Sequence, residues 1–136
     1  VNASVGDLEL GDVDDDGDLD IVLSDWGAGS NMNNQGGRTM LWINDGNGYF
    51  TDVTQNQMPD ILIQFSWDLE FFDFDNDFDL DIAISCKRCA TSRIYVNNGK
   101  GNFKDKLLLP AYTNNYDFEI MDINTDGFLD LVTVND

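Results

Sequence analysis

The residues best equipped for chemistry are aspartates, and they are concentrated in one short run. Asp12 to Asp20 reads DVDDDGDLD, six acids in nine residues. So many like charges in one turn repel each other at neutral pH unless a cation sits among them. Asp12, Asp14 and Asp16 alternate, Gly17 permits a backbone reversal that a side chain hinders, and Asp20 returns at the ninth place. Hard oxygen donors, with no His in the chain and no Cys near the run, select calcium over zinc or copper.

The run recurs as DFDNDFDLD over Asp73–Asp81 and as DINTDGFLD over Asp122–Asp130. Three calcium sites are therefore expected. Their first position is Asp12, Asp73 or Asp122 and their third is Asp14, Asp75 or Asn124. The fifth is Asp16, Asp77 or Asp126 and the ninth is Asp20, Asp81 or Asp130. The seventh (Asp18, Asp79, Phe128) varies in type, as a backbone-carbonyl ligand allows. Phe78 replaces the glycine of the other copies, which predicts strain, and Asn124 lowers the charge of the third turn, which predicts weaker binding. An EF-hand needs an acid at position twelve and a helix beyond it; Leu23, Ile84 and Thr133 stand there instead.

Other reactive groups are few. Cys86 and Cys89 permit a small-loop disulfide, a redox pair or half a zinc site. Zinc would need further N or S ligands that a chain with two Cys and no His lacks, and a redox pair wants a following helix. A disulfide closing the loop between two strands is favoured, with two free thiols as the alternative. Lys87, Arg88 and Arg93 form the one basic cluster of note, read as an offset to nearby acids rather than a site for an anionic partner. With no His to act as base and no evident nucleophile pair, the chain is not expected to be an enzyme. Asn2-Ala3-Ser4 fits a glycosylation acceptor, a common triplet.

Strands must position these turns. Before each stands an alternating segment (DLELGD, DLEFFD, DFEIMD), and after each comes LDIVLS, LDIAIS or LDLVTV. A second paired element, INDGNGYFTD from Ile43 and VNNGKGNFKD from Val96, carries Asn/Asp-Gly turn chemistry. Asp12 and Asp73 lie 61 positions apart and Asp73 and Asp122 lie 49 apart, spacings that point to propeller blades or a similar array. The expectation is all-β, with no helical period: four-stranded antiparallel meanders near 5–54 and 66–109, and half of a third near 117–134. In a meander the first and third turns share one end, so the acidic turns meet the Asn/Gly turns. The longer irregular loops, including Trp26 to Arg38, gather at the other end, where a partner would be gripped. Trp26 is the aromatic suited to such a surface, with packing beneath its own loop as the alternative, whereas Trp42, Trp67, Phe71, Phe74 and Tyr95 read as core.

The 136 residues make one domain's worth of chain, and 42% apolar with 12% aromatic content argues against disorder. The net charge of -19 excludes a nucleic-acid partner and disfavours anionic membranes. There is no membrane-spanning run, so no direct membrane insertion is expected, and no signal peptide.

GDVDDDGDLDIVLSD, FDFDNDFDLDIAIS and MDINTDGFLDLVTV, with NDGNGYFTDVT and NNGKGNFKD, resemble the FG-GAP and VCBS repeats, the calcium-loop blades of integrin α-subunit propellers and of many secreted bacterial proteins. The resemblance covers nearly the whole chain. It implies a β-propeller of usually about seven blades. Calcium would sit between the first two strands of each blade, held by side chains at positions one, three, five and nine and by the carbonyl at seven. Two and a half blades do not close a ring. The segment is therefore expected to belong to a longer chain or to lean on neighbouring copies. The expected role is a calcium-stabilised extracellular module, secreted or at the cell surface, for adhesion to protein or glycan or for assembly. The alternatives are an accessory, substrate-binding part of a secreted polysaccharide-degrading enzyme and an architectural repeat of a surface filament.

Overall fold

A computed structural model describes residues 4–28, 34–87, 92–109 and 115–135, with the backbone alone for 105–108. Among the described residues, ten strands form three antiparallel sheets. The first holds β1 (Val5–Gly11), β2 (Asp20–Asp25), β3 (Thr39–Asn44) and β4 (Phe50–Asp52) in that spatial order. After a one-turn helix, α1 (Thr54–Gln57), the second holds β5 (Leu69–Phe72), β6 (Asp81–Ile84), β7 (Arg93–Val96) and β8 (Lys104–Leu108). The third is the pair β9 (Asn115–Met121) and β10 (Asp130–Asn135). The architecture is all-β, in blades of the propeller kind.

Local chemistry explains these elements. β1 alternates apolar and acidic residues, which puts Leu8 and Leu10 on one face, here exposed, and the half-buried Asp7 and Glu9 on the other. β6 is buried along its whole length, in keeping with its apolar run and its place between two strands. Each first hairpin closes through an acidic turn, pairing Gly11 with Asp20, Phe72 with Asp81 and Met121 with Asp130. The helix α1 departs from the purely β expectation. Its four residues are too few to show a period, and tertiary contacts hold it: the Leu41 N–H donates to Thr54 Oγ1 (2.9 Å) and the Phe103 N–H to the Gln57 carbonyl (2.8 Å).

The inner strands pack side by side, β1 against β5 and β5 against β9. Val13, Val22 and Leu41 of the first sheet share one core with Leu69, Ile82 and Tyr95 of the second. A second core joins Ala83, Ile94 and Val96 to Phe118. Gly6 sits where β1 passes the segment before β5, since a Cβ there would press into the Ser66 carbonyl. Among the aromatics expected in the core, Tyr95 is buried (1% exposed) and Phe71 packs at its margin, but Phe74 stays 36% exposed. Trp26 lies against Trp67 with the rings tilted (4.7 Å between centroids, 55°) and meets Phe65 edge-on (5.8 Å), so it packs against the segment that leads into β5. Among the described residues no helix is long and apolar enough to cross a membrane.

Candidate metal centre

The three acidic turns share one hydrogen-bonded frame. The first-position carboxylate closes the turn: Asp12 accepts the N–H groups of Asp16 (3.1 Å) and Gly17 (2.9 Å). Asp73 accepts those of Asp77 and Phe78, and Asp122 those of Asp126 and Gly127. The ninth-position carboxylate ties turn to sheet. Asp20 accepts from Val13 N, Asp81 from Phe74 N and Asp130 from Ile123 N. In the complete sheets its other oxygen accepts from the third strand, Asn44 N for Asp20 (2.8 Å) and Asn97 N for Asp81 (2.7 Å). Asp20 and Asp81 are 0% exposed, whereas Asp130, with no such strand beside it among the described residues, is only half buried.

This frame draws carboxylates together. Ligand oxygens of Asp12, Asp14 and Asp20 all lie within 4.8 Å of one another, and so do those of Asp73, Asp75 and Asp81. Asp14 Oδ1 is buried with no hydrogen-bond partner, an oxygen that has given up water without a donor in return. Burial pushes the Asp14 carboxyl above its ordinary pKa, and the charges of Asp16, Asp20 and Asp12 add to that. Burial also raises Asp20, against the N–H groups of Asn44 and Val13. Asp81 is pushed up to about 6, by burial first and by Asp75 and Asp77 after it, against the N–H groups of Asn97 and Phe74. Clustered, partly desolvated carboxylates of this kind are destabilised as anions and fit a hard divalent ion such as calcium.

These triads do not include the fifth- and seventh-position side chains. Asp16, Asp77 and Asp126 each accept the N–H two residues on, from Asp18, Asp79 and Phe128, and so cap the turn locally. Asp18 and Asp79 lie against Gly46 and Gly99, where any Cβ would strike the carboxylate. The third turn differs at one ligand position. Asn124 replaces a carboxylate, and its amide is spent inside the turn, accepting from Asp126 N and donating to Asp126 Oδ2 (both 3.0 Å). Phe78, at the glycine position, adopts φ 71° and is 94% exposed.

Sequence reasoning passed over Asn97. Its N–H serves Asp81, and its Nδ2 donates to the Leu80 carbonyl and, across the sheet boundary, to that of Val13 (2.7 Å). The recurrence of Asn44 and Asn97 at the head of each Asn/Gly turn is the pattern that could have disclosed it. The acidic turns and the Asn/Gly turns thus meet at one end of the sheets. Elsewhere, Lys87 Nζ lies over the Tyr116 ring (4.0 Å to the centroid). Cys86 is held in a disulfide. Cys89, Arg88 and Asn2 lie outside the described residues.

No curated protein and no solved structure matches the chain. A family model, the FG-GAP-like repeat, matches residues 12–84 and 85–133. The first match opens at the acidic turn of the first sheet and runs through β6, and the second continues through the third acidic turn into β10. Matched over most of its length and built from the antiparallel sheets described above, the chain belongs to the FG-GAP-like repeat family.

Proposed function

We propose that this protein is a calcium-stabilised, non-catalytic interaction module that works outside the cell. The convergence of three carboxylates in each of the first two turns carries the reading. Asp12, Asp14 and Asp20 would hold one ion and Asp73, Asp75 and Asp81 another, with Asp16, Asp18, Asp77 and Asp79 at the rim. Asp122, Asn124, Asp126, Phe128 and Asp130 form a third and weaker site. Bound calcium supplies positive charge that offsets the crowded acids and joins the first two strands of a sheet, so its first effect is on stability.

An extracellular setting agrees with the Cys86 disulfide and with the high calcium that such modules need. Adhesion to protein or glycan belongs at the end of the sheets opposite the acidic turns. There a cavity of about 620 Å3 is lined among the described residues by Asp25, Arg38, Asp52, Thr54 and Leu62. Its mixed polar and apolar lining suits a hydrated partner surface. Other blades, in the same chain or in neighbouring copies, complete the array.

Titration calorimetry of metal-free protein with calcium tests the central claim. Two tight sites and one weaker site are expected, with Asp12→Ala removing one tight site and Asp81→Ala the other. A stoichiometry unchanged by both substitutions would remove the basis for the reading.

A further inference from the structure

One side chain joins the two converging carboxylate triads. Asn97 follows β7 of the second sheet, and its N–H donates to Asp81 Oδ1 (2.7 Å), the ninth-position carboxylate of the second turn. Its Nδ2 donates to the Leu80 carbonyl of that turn (3.2 Å) and to the Val13 carbonyl of the first turn (2.7 Å). The Gly101 N–H, from the same Asn/Gly turn, reaches the same Val13 carbonyl (2.9 Å). Val13 lies between Asp12 and Asp14, and its own N–H donates to Asp20 (3.0 Å). Asn97 is 5% exposed and Val13 2%, so water has little access to replace these bonds. Asn44, at the matching place in the first sheet, repeats the local bonds, N–H to Asp20 and Nδ2 to the Leu19 carbonyl.

We infer that Asn97 is a positioning residue that couples the first two turns, so that an ion bound in one raises the affinity of the other. The inference rests on the calcium reading of the proposed function. An ion held by Asp12, Asp14 and Asp20 fixes Val13 among its ligands and presents a stationary carbonyl to Asn97. Docked there, Asn97 keeps its N–H on Asp81, and the second ion meets a ligand already in place. The disorder lost in fixing the Asn97 segment is then shared by two ions. Charge works the other way. A cleft between the turns is lined by Asp12, Asp15, Asp77 and Asp79, so positive charge gained by one turn weakens the pull of the other on a cation. Salt separates the two effects, because it screens charges across water and leaves buried hydrogen bonds intact.

Titration of the full chain with buffered calcium, followed by NMR at the N–H groups of Gly17 and Phe78, reads each turn separately. It is run in 1 M potassium chloride, where the screening length is about 3 Å. Asp14→Ala and Asp75→Ala each remove a ligand from one turn and leave the bonds of Asn97 in place. Emptying either turn should weaken the other roughly fivefold, and by the same factor in both directions, as linkage requires. At low salt the factor should be smaller. Asn97→Ala should bring it to unity, whatever that substitution does to the separate affinities, while Asn44→Ala should leave it at about five. Hydrogen exchange in the Asp75→Ala chain gives a second reading should Asn97→Ala fail to fold. Calcium in the first turn should slow exchange of the Asn97 and Gly101 N–H groups several-fold and leave that of Lys100, held within its own turn by Asn98, as it was. Turns that bind calcium indifferently to each other, or a factor that survives Asn97→Ala, overturn the coupling and leave the calcium reading standing. Equal slowing at all three N–H groups, or none, does the same. Turns that take up no calcium overturn both.

Discussion

A single side chain sets the second acidic turn apart. Phe78 holds φ 71° where Gly17 and Gly127 hold 92° and 89°, and its ring is 94% exposed, so no burial offsets the strain. A non-glycine residue in the left-handed region costs about 1–2 kcal/mol, and glycine returns about 0.5–1 kcal/mol of that as chain entropy. Phe78→Gly should therefore stabilise the protein by roughly 0.5–1 kcal/mol, seen as a rise of a few degrees in melting temperature. A lower melting temperature would show that the ring makes a contact its exposure hides. In the third turn the amide of Asn124 is occupied by Asp126. Asn124→Asp frees that position for a carboxylate and should tighten the weakest calcium site, read as a lower Kd with the two tighter sites unmoved. The alternation of aspartates marked the first, third and ninth positions of the first two turns, whose carboxylates the fold brings together, because type and spacing are themselves the chemistry. At the fifth position one oxygen of Asp16, Asp77 and Asp126 also accepts the N–H two residues on, a local bond that spacing alone does not announce.

Strands were legible where apolar and acidic residues alternate, as in β1, and where an apolar run follows a turn, as in β6. The helix α1 was not, since what folds it lies in Leu41 and Phe103, far along the chain. The bond from Asp68 to Phe118 was equally hidden, because no local pattern marks a hydrogen bond spanning 50 residues. It has a consequence for pH. Burial pushes Asp68 up to about 7, against the Phe118 N–H, and Asp117, Asp7 and Glu70 add to the rise. A carboxyl whose folded pKa lies above its unfolded value near 3.9 binds protons more tightly in the folded state. Its contribution is fully favourable below about pH 4 and is lost as pH rises through about 7. Asp68→Asn keeps an oxygen for the Phe118 N–H and removes the ionisation. With calcium absent, the variant should melt with a shallower pH dependence between pH 5 and 8 and should at least equal the parent at pH 8. A slope as steep as the parent's would assign the titration to another group. Asp81, at about 6, acts on the metal side. Only its anion could hold the proposed ion, so affinity at the second turn should fall as pH drops below about 6.

Over the whole molecule, acids outnumber bases 26 to 7, and 14 of the acids crowd into three turns. Metal-free, the native state brings these charges closer together than the unfolded chain does, and self-repulsion works against folding. Calcium bound only by the folded turns shifts the balance by RT ln(1 + [Ca]/Kd), about 2.7 kcal/mol per site at a hundredfold excess over Kd. Two tight sites, as proposed, would together give about 5 kcal/mol, comparable with the whole stability of an ordinary domain. Chelation should therefore lower the melting temperature by on the order of 15 °C, and added calcium should restore it. Magnesium should restore less, because it demands a tight octahedron and gives up its waters reluctantly. Part of the chelator's effect is plain charge repulsion, and 1 M salt separates the two contributions, since it shrinks the screening length to about 3 Å. Salt should recover some of the lost stability while leaving a gap that only calcium closes. If the melts with and without calcium superimpose in high salt, the turns neutralise charge without caging an ion, and the first two strands are held by their backbone pairing and the bonds to Asp20 and Asp81 with no contribution from a metal.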